Sequence, residues 1–240
     1  MEPREIATNH TLSFLKERLP PRPCRILEVG CGLGHLAKAL VDLGHNVLAI
    51  DTAEEAVNST KRRGVNATVG AIEDVTASVF DFVLFTRSLH HIHHIDRCLS
   101  AAKDKLRSGG TVIVEDFGYD LMDEPTAIWF QGLKNVARPL LKSETEDAIS
   151  LEEAYVSWIS HHTDEHGLHK AAELEDSLRK HFSGLETQKD VPYLYRYLIP
   201  DTPPSKETYK SIAAAFSWEK VCIARNEIKG IGLRLLANSS

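Results

Sequence analysis

Glu28 stands in the apolar run Ile26–Val29, and three glycines follow it at alternate positions, Gly30, Gly32 and Gly34, with Cys31 between the first two. Glycines carry no Cβ, so a ligand can lie directly against the backbone of such a turn. Dinucleotides use a glycine-rich strand-to-helix turn at the same place, through G-x-G-x-x-G. Here the last small residue of that pattern is replaced by His35, which is too bulky for close helix–strand packing. A carboxylate at Glu28 would also repel a pyrophosphate and attract a cation. The turn therefore points to a cationic ligand. Asp51 ends the next apolar run, Val47–Ile50. A carboxylate there can accept both hydroxyls of a ribose in charge-assisted hydrogen bonds, or it can cap the helix that follows.

Twelve histidines are many for this length, and most fall in two groups: His90, His91, His93 and His94, then His161, His162, His166 and His169. His162 and His166 lie one helical turn apart, a spacing zinc sites use. No cysteine joins them, however, and four histidines so close together in the first group cannot all face one point, so no metal is expected. The remaining chemistry is proton transfer near neutral pH, to which imidazole is suited. His91 and His166 are the candidates for it, against the alternative that both are surface residues.

These residues need a scaffold that brings strand ends together. From Arg25 onward strands and helices alternate, the pattern of a doubly wound parallel sheet. The expected strands are Ile26–Val29, Val47–Ile50, Asn66–Val69, Phe82–Phe85 and, after a Gly109-Gly110 turn, Thr111–Val114. The first helix carries Leu36, Ala37, Leu40 and Leu43 at helical spacing and should stop at Gly44; Thr52 should cap the second. Residues 119–182 show no strand pattern but three amphipathic stretches, near Ile128–Leu141, Leu151–Ile159 and Ala171–Phe182. Strands return at about Leu185–Val191 and Gly232–Leu236, separated by Pro203-Pro204 and a helix near Lys206–Phe216.

The segment ILEVGCGLG resembles the E/D-x-G-x-G-x-G motif of class I S-adenosylmethionine-dependent methyltransferases, and Phe80–Phe85 (FDFVLF) resembles that family's fourth-strand motif. The likeness covers residues 24–117 well and 183–237 loosely. It implies a Rossmann-like, seven-stranded α/β sheet, doubly wound, with a helical cap inserted after strand five and placed above the carboxyl ends of the strands. It also implies S-adenosylmethionine as cofactor, whose ammonium and sulfonium suit Glu28. Four parts are expected: an N-terminal helical segment (1–24), a cofactor-binding core (25–118), the cap insert (119–182) and the C-terminal strands with their helix (183–240).

After strand three the family places an acid near the adenine amino group, but that position here is Ala71. Glu73 or Asp74 would substitute, with Ile72 packing on the ring, unless Asp74 only caps the next turn. Thr86 opens the loop TRSLHHI, which resembles the segment lining the methionine end, and His91 holds a position commonly His in metal-free relatives. The implied activity is methyl transfer to a small molecule at O, N or C. The alternative is a non-methylating cyclase that uses the bound cofactor electrostatically.

Size and charge bound the partners. A chain of 240 residues with 42% apolar content can bury one good core. A net charge of −6 argues against nucleic acid as a partner. No apolar run approaches the ~20 residues that cross a bilayer, so no membrane is expected. Scattered cysteines and an N-terminus without an apolar signal segment point to the cytoplasm. Oligomeric state is not legible.

Overall fold

The structure is a computed structural model that describes residues 3–76, 79–141, 150–165, 167–200 and 205–239. In chain order the elements are α1 (Pro3–Arg18), β1 (Arg25–Val29), α2 (His35–Asp42), β2 (Asn46–Asp51), α3 (Glu54–Arg62), β3 (Asn66–Val69), β4 (Phe80–Thr86), α4 (Ile95–Lys105) and β5 (Leu106–Phe117). Then come α5 (Glu124–Leu141), α6 (Ala154–Ser160), α7 (Ala171–His181), β6 (Ser183–Val191), α8 (Lys206–Ala224) and β7 (Gly232–Asn238). The strands form one seven-stranded sheet in the order β3-β2-β1-β4-β5-β7-β6. Leu27 of β1 sits between Leu48 of β2 and Val83 of β4 in parallel register. β3 and β5 extend the parallel part on either side. β7 runs antiparallel to β5: Gly118 bonds to Ile231 at one end and Ser239 to Gly110 at the other. Among the described residues no helix is long and apolar enough to cross a membrane.

Local chemistry explains where the elements stop. The Gly44 and His45 amides bond back to Val41 and Leu40, and Gly44 takes a φ of 89°, so the expected glycine does end α2. Thr52 does not cap α3. Ala53 is its N-cap, without a side-chain bond, and the Ala53 amide donates instead to Asp51 Oδ1 at 2.9 Å. The expected Gly109-Gly110 turn is also corrected. Both glycines lie inside β5, which starts directly at the end of α4 and shifts register against β4 between Phe80 and Phe82. A Cβ on Gly110 would sit 2.9 Å from the Arg107 carbonyl, so Gly110 serves close backbone approach.

The chain divides into two compact units, each assembled from three segments. The sheet unit comprises Thr8–Asp116, Ala172–Gln188 and Arg234–Ser240. Its core gathers Leu15, Ile26, Leu40, Ala49, Leu84 and Ile113. The helical unit comprises Met1–Ala7, Phe117–Ala171 and Lys189–Leu233, with a core around Phe130, Trp158, Leu194, Tyr195 and Ile212. The insert 119–182 is thus not one body: nearly all of α7 belongs with the sheet unit.

Candidate functional site

The three glycines of the turn after β1 all have positive φ, 75°, 52° and 79°, a conformation costly for any residue with a Cβ. What lies against them differs. A Cβ on Gly30 would stand 2.4 Å from Ser88 Cβ, and one on Gly34 would stand 2.4 Å from the Thr60 hydroxyl. At Gly32 nothing lies within 4 Å. The expectation that all three leave room for a ligand is therefore corrected. Gly30 and Gly34 let the protein pack on itself, and of the three only Gly32 faces open space. Cys31 is buried, its thiol 3.5 Å from the Thr60 hydroxyl, and burial pushes it up to about 11.

Glu28, in β1 two residues before this turn, is 1% exposed. Burial pushes its carboxyl up to about 8, against opposing effects from Arg87 and from a hydrogen bond with Thr86. Without a cation beside it, Glu28 is therefore mostly neutral at pH 7, which amends the simple attraction expected from the sequence. Its Oε2 has no hydrogen-bond partner among the described residues. A buried, unsatisfied carboxyl oxygen is costly unless something else completes it.

Asp51 is half-buried at the end of β2. Its Oδ2 accepts from the Gly32 amide at 2.9 Å and its Oδ1 from Ala53. One carboxylate thus ties the glycine turn to the start of α3, with lone pairs to spare for hydroxyl donors. After β3, Ile72 is buried. Asp74 turns back to accept the Ala71 amide at 3.0 Å, so it acts as a cap. Glu73 pairs with Arg97 at 3.2 Å. Thr86 is buried at the end of β4. These residues share the sheet unit.

The next residue, Arg87, holds a φ of 60°, a strained value for a side chain of this kind. Its amide bonds to the Glu115 carbonyl at 2.8 Å. Glu115, 1% exposed, takes Arg234 Nε at 2.8 Å on one oxygen and the Thr11 hydroxyl on the other.

The histidines separate sharply. His91 is exposed. Its neighbour His90 is buried, with Nδ1 at 2.5 Å from Asp116 Oδ1 and its amide on Asp116 Oδ2. Asp116 thereby pins the loop after β4 to the end of β5. Sequence spacing alone did not single out His90, because its partner lies on another strand. His166 falls outside the described residues. Among the described residues no three His, Cys, Asp or Glu side chains gather as a metal site. His162, on the helical unit, is 3% exposed, with Nδ1 at 2.7 Å from the Trp158 carbonyl and Nε2 at 3.0 Å from the Tyr197 hydroxyl. It borders a cavity of about 280 Å³ with Trp158, Phe130 and Tyr197. Trp158 is buried and also lines this space. Trp129 packs against Trp218, the ring centres 5.1 Å apart and the planes tilted by 56°.

Residues 3–180 match the family described as a methyltransferase domain. The ubiquinone biosynthesis O-methyltransferase of Xylella fastidiosa (strain 9a5c) is 29% identical over 213 aligned residues, covering 82% of each chain. The protein of the same name from Xanthomonas axonopodis pv. citri (strain 306) is 31% identical over 112 residues, 43% of this chain and 47% of that one. Phosphoethanolamine N-methyltransferase 2 of Haemonchus contortus, solved with S-adenosyl-L-methionine, superposes with a TM-score of 0.60 at 18% identity, over 96% of this chain and 52% of that one. An S-adenosylmethionine-dependent methyltransferase from Mesorhizobium loti gives 0.57 at 15% identity, over 95% and 97%. At these identities the two structures speak to the fold.

Proposed function

Because the chain belongs to the methyltransferase-domain family and is an S-adenosylmethionine-dependent methyltransferase, we propose that it methylates a hydroxyl group of a small organic acceptor, with the cofactor held at the turn after β1. The observation that carries this placement is the unsatisfied Oε2 of Glu28, two residues before a turn whose Gly32 is uncovered. A ligand ammonium would complete the first and a ligand surface would cover the second. Asp51 would receive ribose hydroxyls while holding the turn by two backbone amides. Ile72 and Glu73 would border the adenine, and Thr86 would keep Glu28 oriented from the strand beside it. Gly30, Cys31 and Gly34 serve by shaping the turn.

Bound there, the cofactor supplies a methyl group on a positively charged sulfur. The protein's own work is to fix the geometry, since positioning alone can supply much of the rate, and to take up one proton from the acceptor. His91, exposed on the loop that Asp116 anchors, is proposed for that proton, with His166 as the second candidate. Family membership speaks for methyl transfer over the cyclase alternative. The O-methyltransferase names of the relatives support oxygen as the acceptor atom, and the net charge of −6 supports a small molecule over nucleic acid. Four free, buried cysteines fit a reducing compartment, so we place the protein in the cytoplasm.

Calorimetric titration with S-adenosylmethionine, S-adenosylhomocysteine and NAD tests the site. The first two should bind, and Asp51→Ala should weaken both by about 10- to 150-fold, the worth of about 1.5–3 kcal/mol of charge-assisted bonding. Tighter binding of NAD, or an Asp51→Ala variant that stays folded and binds normally, would place the cofactor elsewhere. Incubation with labelled cofactor and a panel of alcohols, phenols, amines and carboxylic acids tests the acceptor. Methylation of amine nitrogen alone would overturn the hydroxyl assignment.

A further inference from the structure

α3 does more than pack: its inner face bonds to the turn after β1. Ser59, Thr60 and Arg63 stand within about one turn of the helix. The Thr60 hydroxyl lies 3.1 Å from the Gly32 carbonyl, while the Ser59 hydroxyl and Arg63 Nε lie 3.3 and 2.8 Å from the Leu33 carbonyl. A carbonyl only accepts, so all three side chains donate. Thr60 is fully buried, and it sits so close that a Cβ on Gly34 would meet its hydroxyl at 2.4 Å.

The direction of the Thr60 bond is fixed. A hydroxyl has one proton, and Thr60 commits it to Gly32. The Cys31 thiol, 3.5 Å from the same oxygen, is then the donor in that contact. Burial pushes this thiol up to about 11, so at neutral pH it keeps its proton and does not draw the Thr60 proton away. The Gly32 amide is held as well, by Asp51 Oδ2 at 2.9 Å, and the other Asp51 oxygen takes the Ala53 amide at the start of α3. The bonds close a ring, from Asp51 to Gly32, from Gly32 to Thr60, then back along α3 to Ala53 and Asp51. Gly32 is gripped at both its N–H and its C=O while its Cα faces open space.

We propose that Thr60 is a positioning residue for the cofactor, holding the Gly32 peptide in the orientation that presents the open face of the turn and the Asp51 carboxylate together. The proposal rests on the reading of this turn as the place where the cofactor is held. Glycine has more backbone conformations open to it than any other residue. A turn that adopts the binding conformation only part of the time binds with its affinity reduced by that fraction. Thr60 removes this reduction before the ligand arrives.

Thr60→Val and Thr60→Ser separate positioning from packing, read by calorimetric titration of S-adenosylhomocysteine into the full chain and by thermal melts. Valine keeps the shape and loses the hydroxyl; serine keeps the hydroxyl and leaves a methyl-sized void. Thr60→Val should bind S-adenosylhomocysteine about three- to tenfold more weakly, the range over which one neutral hydrogen bond shifts an equilibrium. Thr60→Ser should bind within about twofold of the unaltered chain although it melts lower. Affinity that follows melting temperature instead of the hydroxyl would overturn the proposal, as would normal binding by Thr60→Val. If Thr60→Val does not fold, Thr60→Ser decides alone: a loss beyond about twofold overturns the proposal, and a smaller one in a chain that melts lower supports it. Absence of S-adenosylhomocysteine binding in the unaltered chain would overturn the cofactor's placement itself, and the proposal with it, a result distinct from any difference among the variants.

Discussion

Glu28 is where a single proton governs the chemistry. Its carboxyl is pushed from 4.5 to about 8 by burial. The folded chain therefore binds that proton more tightly than the unfolded chain between those pH values. This contribution to stability is fully present below about pH 4.5, declines as pH rises toward 8 and is flat beyond. Binding of a cationic ligand at pH 7 should ionise the group and release up to one proton. Affinity for S-adenosylmethionine should rise with pH and level off near 8. Calorimetry at pH 7 in two buffers of different ionisation heat measures the release directly, and Glu28→Gln should abolish it. Tight binding with no proton released would show that Glu28 does not meet the ammonium. The sequence shows that an acid stands at this position. It does not show that the acid is neutral at rest, because that depends on strands and side chains far away in the chain. His90 is a similar case: its type is plain, but its bond to Asp116 exists only once β4 and β5 lie side by side.

The turn between β1 and α2 looks uniform in the sequence and is not. Gly34 packs on Thr60 and Gly30 on Ser88, while Gly32 faces open space. Gly34→Ala should therefore lower stability by several kcal/mol, through overpacking added to a strained φ. Gly32→Val should leave a folded chain, with a cost of about 1–3 kcal/mol from the backbone alone, and should lose cofactor binding. Thermal melts and cofactor titrations on both variants separate the two roles. A Gly34→Ala protein as stable as the parent would contradict the packing seen here.

The elements were legible where local chemistry decides them: the Gly44 stop, the parallel strands and the existence of each helix. Their ends were not. β5 takes in the Gly109-Gly110 pair, where Leu106 of the same strand and the Asp81 carbonyl of β4 stand close to Gly110, and Asp51 displaces Thr52 as the group that starts α3. α8 runs on to Ala224 because Glu219, buried and about four turns beyond Ser205's cap, takes the amides of Tyr193, Leu194 and Tyr195 at 2.7–2.9 Å. That carboxylate also sets the turn that carries Tyr197, an arrangement no helical periodicity signals.

At the scale of the molecule, the doubly wound class of the sheet follows from the alternation of strand and helix, whereas the order that sets β7 between β5 and β6 does not. The division into units does not follow from segment boundaries, since each unit collects three stretches of chain. Within the sheet unit the stretches are joined by charge as well as by apolar packing. Glu115 and Arg234, both more than nine-tenths buried, pair at 2.8 Å, and the Arg234 guanidinium lies 4.3 Å from the Phe14 ring centre. Arg234→Ala should destabilise the protein by about 3–5 kcal/mol, because it strands a buried carboxylate. Adding Glu115→Gln should recover part of the loss. Urea denaturation measures both, and a loss under about 1 kcal/mol would mean that Glu115 is satisfied without Arg234.

The same pair sets a clock. Glu115 and Arg234 are 119 residues apart, so at a synthesis rate of about 5–20 residues per second the arginine follows the acid by roughly 6–24 s. Throughout that interval the nascent sheet holds this carboxylate with only Arg87, 3.9 Å from it in the folded chain, to meet it. Its best course is to stay hydrated, which keeps β5 from closing early. Pulse-labelled chains arrested between the two residues should remain protease-sensitive across β4 and β5 and gain resistance once Arg234 has emerged.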